Sequence, residues 1–171
     1  MQKIMIDTGM TRRVNCRGVE PDTVELIGSA LSRELDARGC ETMTPCGVPD
    51  PDEGFGRPSR CADVARRWGA DCLLRLYVRA AADPCAGSAG AMVYRRKSRS
   101  GDLAQQILTS LSREAGMRDG GIRSATGVVL LRRTPCPCVI LILRLPYRDK
   151  EFPTDASVRR YALALADGVL G

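Results

Sequence analysis

Cys138-Val139-Ile140-Leu141-Ile142-Leu143 is the longest uncharged apolar stretch of the chain. It is of strand length and does not alternate between apolar and polar residues. A strand greasy on both sides must be covered on both sides, which is the signature of an inner strand in a parallel sheet. Working outward, the sequence Lys3 to Asp7 and the sequence Asp71 to Val78 read the same way, and short strands are expected at Cys40–Met43, Ala91–Tyr94 and Val128–Leu131.

Helical patterns lie between them. Pro21 suits a first helical turn, Asp22 and Glu25 suit the positive end of the dipole, and Gly39 suits the stop of a helix ending at Arg38. Leu26, Ile27, Ala30, Leu31 and Leu35 fall on one face of it. Further helices are expected over Ser59–Trp68, from Gly101 to about Glu114 (stripe Leu103, Ile107, Leu108, Leu111), and over Asp155–Leu170 (Val158, Tyr161, Ala162, Leu165 inward). Residues 46–59 and the small residues 82–89 read as loops. Strand–helix alternation of this kind predicts one α/β domain over 1–171: three layers, a largely parallel sheet of about six strands, helices on both faces.

Composition narrows the function. Apolar residues make up 44% and charged residues 27%, an ordinary globular balance, and no run is long enough for a membrane span. No signal peptide is read, because the first residues already form a strand. The net charge of +6 could meet an anionic polymer, but the basic residues are scattered. The densest run, Tyr94 to Arg99, reads as a solvated loop and has no nucleic-acid-binding signature beside it, so nucleic acid is not expected as a partner. The 8 cysteines are read as reduced and structural. Cys136 and Cys138 are expected on opposite faces, sharing no metal.

Seven local words, in order, resemble the zinc-dependent N-acetylmuramoyl-L-alanine amidases, which cut peptidoglycan. They are Ile4–Gly9, Gly18–Asp22, Gly69–Tyr77, Gly90–Tyr94, Ser100–Leu108, Gly116–Arg123 read as a turn, and Leu131–Thr134 followed by Pro137–Ile142. In that family zinc is held by His, Glu, His and water, and a second Glu activates the water. Three protein ligands leave a fourth position where the cation lowers the pKa of bound water.

The resemblance places those roles on Met10, Glu20, Tyr77 and Ile142. Glu20 alone keeps its chemistry, and the whole chain contains 0 histidines. A tyrosine must lose a phenolic proton to bind zinc, a thioether is a soft ligand, and an isoleucine carries no proton. Nearby, Arg79, Met92 and Arg144 replace the family's Asn, Glu and Gly. The resemblance therefore implies a degenerate member with no catalytic residue, no zinc, and a remnant pocket of Glu20, Arg75, Tyr77, Arg79 and Arg144. Whether it is an enzyme stays open, leaning to no.

Arg75 lies two residues before Tyr77, so the two share a strand face. Arg75 or Arg79 is expected to pair with Glu20, or to reach solvent past the strand end. Asp7 is read as a hydrogen-bond acceptor at its strand end. The expected partners are a peptidoglycan fragment or another protein, such as an active amidase. The alternative is a working amidase with an atypical metal set. The family usually acts outside the bacterial cytoplasm.

Overall fold

The computed structural model describes residues 1–9, 23–45, 58–83, 86–146 and 154–171. Its elements run β1 (Lys3–Asp7), α1 (Thr23–Ala37), β2 (Glu41–Met43), α2 (Pro58–Trp68), β3 (Cys72–Ala80), β4 (Ser88–Val93), α3 (Arg99–Ala115), β5 (Arg118–Ser124), α4 (Val129–Arg133), β6 (Cys138–Leu145) and α5 (Asp155–Leu170).

The strands form one six-stranded sheet in the order β2-β1-β3-β6-β4-β5. Every neighbouring pair is parallel except β4 with β6. The continuous apolar run of β6 sits in the interior of the sheet, between β3 and β4, as its two-sided greasiness requires.

One face carries Ile4, Ile6, Leu74, Leu76, Leu141 and Leu143, packed against the buried stripes of α1, α3 and α5. The other carries Met5, Leu73, Cys138 and Ile140, covered by α2 and α4 through Ala62, Ala65, Leu130 and Leu131. Each fully buried aliphatic side chain contributes about 1.5–3 kcal/mol relative to exposure. These two aliphatic layers thus hold the sheet with little aromatic help.

Helix α1 stops where expected: Gly39 has φ 81°, a left-handed value that glycine adopts without strain. Helix α3 is opened by Ser98, whose hydroxyl accepts from the Gly101 N–H, and closed by Gly116. Helix α5 begins at Thr154, which accepts from the Ser157 N–H.

Three sequence expectations are corrected. Val128–Leu131 is not a strand. Residues Val129–Arg133 form the short helix α4, which turns Leu130 and Leu131 onto the sheet. A short apolar run carries no periodicity long enough to separate the two conformations.

The sixth strand is instead Arg118–Ser124, within a stretch expected to be a turn. It is an edge strand with only Ile122 partly buried, so it lacks the hydrophobic alternation by which strands are read. Strand β4 also starts earlier than expected, at Ser88, inside the small-residue stretch read as a loop.

Candidate functional site

Strands β1, β3 and β6 all end at the same edge of the sheet, and antiparallel β4 begins there. Binding sites of open α/β sheets lie outside the carboxyl ends of the strands. Side chains on the α2/α4 face form three successive rows at this end, because register partners on neighbouring strands point the same way.

The innermost row is Asp7, Arg75, Ile140 and Met92, on β1, β3, β6 and β4. The next is Tyr77, Ile142 and Gly90, and the outermost is Arg79, Arg144 and Ser88. Strand β5 continues the outermost row with Arg118, the partner of Ser88.

Asp7 is only 2% exposed. Its Oδ1 accepts the Gly9 N–H at 2.9 Å, the strand-end role expected of it. Its Oδ2 lies 3.3 Å from Arg75 Nη1. That contact is an ion pair by distance rather than an aligned hydrogen bond, and Asp7 Oδ2 and Arg75 Nε have no hydrogen-bond partner.

The Arg75 side chain is 15% exposed, and its guanidinium carbon stands 5.4 Å from the centre of the Tyr77 ring, within cation–π range. Arg75 is thus held by the carboxylate of β1 and by the tyrosine two residues along its own strand. Asp7 as the anion opposite Arg75 was missed in the sequence, because the pairing depends on the parallel register of β1 with β3.

Tyr77 packs against the apolar cluster under α2 and α4, and half-buried Ile142 is its register partner. Arg79 and Arg144 are exposed. A Cβ built on Gly90 would lie 3.9 Å from Arg144 Nη1, so the guanidinium reaches over the bare backbone of β4. The predicted residues Arg75, Tyr77, Arg79, Ile142 and Arg144 are therefore brought together at one sheet end. Met10 and Glu20 lie outside the described residues, and with them the expected pairing of Glu20 with an arginine.

The thiols lie apart from these rows. Cys40, Cys72, Cys136 and Cys138 are free thiols. Contrary to expectation, Cys136 and Cys138 pack against the same apolar cluster, since residues two apart in extended chain share a face. Burial pushes the thiols of Cys72 and Cys138 up to about 12 and that of Cys136 up to about 11, which keeps all three protonated near neutral pH. Among the described residues no group of three His, Cys, Asp or Glu side chains could hold a metal ion.

No family profile matches the sequence, and no curated protein matches it by sequence. Solved structures do match. The catalytic domain of CwlV, an N-acetylmuramoyl-L-alanine amidase from Bacillus (Paenibacillus) polymyxa var. colistinus, is 19% identical with a TM-score of 0.73, over 99% of this chain and 96% of that one. The apo form of the amidase Ami1 from Mycobacterium abscessus is 13% identical with a TM-score of 0.76, over 99% and 97%. The CwlD amidase from Clostridioides difficile, solved in complex with the GerS lipoprotein, is 13% identical with a TM-score of 0.73, over 99% and 97%. The chain accordingly has the fold of the N-acetylmuramoyl-L-alanine amidase catalytic domains.

Proposed function

We propose that this chain is a non-catalytic, amidase-like protein that binds at the open end of its sheet, with a binding or regulatory role at the bacterial cell wall. The observation that carries this reading is the chemistry of the three rows. Where an amidase would need imidazoles, an open coordination position and a proton-carrying carboxylate, the described side chains are Arg75, Tyr77, Ile142, Arg79 and Arg144. Guanidinium groups repel a divalent cation and offer it no lone pair. Arg75 stands against Asp7, the buried carboxylate among the described residues of this end, so that oxygen faces a cation already present. Among the described residues this donor set does not fit zinc, and no hydrolytic step is derived through it.

The amidase structures that share the fold favour a wall fragment as the ligand. CwlD is solved with a lipoprotein bound, which supports a protein partner as the alternative occupant of such a domain. Action on wall material favours an extracytoplasmic location. No helix among the described residues is long and apolar enough to cross a membrane.

The test is elemental analysis of the purified chain together with incubation on muropeptides. Zinc well below one per chain and intact muropeptides are expected. Stoichiometric zinc with release of free peptide from N-acetylmuramoyl-L-alanine linkages would replace this reading with that of an active amidase using an unusual ligand set.

A further inference from the structure

The outermost row of the sheet end holds Arg79 on β3, Arg144 on β6, Ser88 on β4 and Arg118 on β5, each in register with the next. Four strands at about 4.8 Å spacing make this row about 14 Å long. Three of its four members are arginines. Arg118 Nη2 meets Asp83 at 2.9 Å. Arg79 and Arg144 are direct neighbours, and among the described residues neither has an ion-pair partner.

Like charges placed opposite one another on adjacent strands destabilise a sheet. The arrangement is relieved if an anion spans the two guanidiniums, each of which presents two parallel N–H donors to an oxyanion. Ser88 adds a hydroxyl donor on the next strand. Gly90 carries no side chain beside Ile142, and the Arg144 head group lies over its bare backbone, where an added Cβ would stand 3.9 Å from Nη1.

We infer that this row is an oxyanion-binding site, for a ligand bearing phosphate or carboxylate groups. The inference gives a ligand class to the binding face proposed above and rests on that face being used for binding. Phosphate and carboxylate share the bidentate geometry that arginine recognises, and they are separated by experiment.

The test is isothermal titration calorimetry of the full chain at low ionic strength, with sodium pyrophosphate as the first probe. A competition with N-acetylmuramoyl-L-alanyl-D-glutamate, whose only anionic groups are carboxylates, is the second arm. Saturable one-site binding of pyrophosphate is expected. Arg79→Gln and Arg144→Gln should each weaken it about tenfold or more, and Arg96→Gln, in the basic run that follows β4, should leave it unchanged.

Circular dichroism on each variant confirms that these exposed substitutions leave the fold intact. Competition by the muropeptide assigns the carboxylate source and supports both the site and the wall-fragment reading. Pyrophosphate binding without competition keeps the oxyanion site, assigns phosphate, and counts against the wall fragment alone. Absence of saturable binding to either probe, or an equal loss in the Arg96→Gln control, overturns the inference.

Discussion

Replacing Asp7 by Asn removes one charge from the innermost row and alters little else. The Asn side-chain carbonyl can still accept the Gly9 N–H that Asp7 Oδ1 accepts at 2.9 Å. Its amide nitrogen, however, would face Arg75 Nη1, which now stands 3.3 Å from a carboxylate oxygen. Removing one partner of a buried pair costs about 3–5 kcal/mol, because the other charge is left unpaired away from water.

Two features reduce that figure here. The Arg75 side chain keeps 15% of its exposure, and the contact is not an aligned hydrogen bond. A cost of about 2–3 kcal/mol is therefore expected for Asp7→Asn. In a chain of this size about 2–4 °C of melting temperature accompanies each kcal/mol, so the midpoint should fall by about 4–12 °C.

The assay is urea unfolding followed by circular dichroism, run as a double-mutant cycle with Arg75→Met. Removing both charges in favour of similar-sized groups is often close to neutral. The double variant should then be more stable than the sum of the two single losses by about 1 kcal/mol or more. Strict additivity, or an Asp7→Asn cost under about 0.5 kcal/mol, would refute the claim that the pair organises this end of the sheet.

Two further outcomes are expected. Arg38, just after α1, meets Asp167 of α5 and Glu34, and hydrogen bonding to Arg38 holds the Asp167 carboxyl below the usual aspartate range. A carboxylate whose pKa is lowered by folding stabilises the protein above its unfolded value and loses that contribution as pH falls through its folded one. Asp167→Asn should thus cost under about 1 kcal/mol at pH 7, the pair being partly exposed, with the difference from the parent closing as the pH falls below about 4; urea midpoints across that range are the readout. Gly168 lets α5 approach α3 so closely that an added Cβ would lie 2.5 Å from the Ile107 Cα, so Gly168→Ala should destabilise by about 1–3 kcal/mol, measured by thermal unfolding.

Much of the architecture was readable before any coordinates. Uniformly apolar strands such as Cys138–Leu143 must be buried on both faces, and the periodic stripes of α1, α3 and α5 must face a core, so a helix-covered sheet follows from solvation alone. The lack of histidine is likewise a statement about composition that no fold can change.

Strand identity was less legible where local preference was weak. Arg118–Ser124 is nearly all exposed and became a strand only because β4 offered an open ladder. Val129–Arg133 became a helix because that conformation turns Leu130 and Leu131 toward the sheet.

The charge pattern at the site belongs to the tertiary structure. Arg79 and Arg144 are far apart in sequence and paired in register on neighbouring strands, and so are Asp7 and Arg75. Register between distant strands is set by cooperative ladder bonding and by which faces must be buried. For that reason the sequence by itself specified a sheet without imidazoles, and only the folded chain decided that arginines of neighbouring strands would stand in register at its open end.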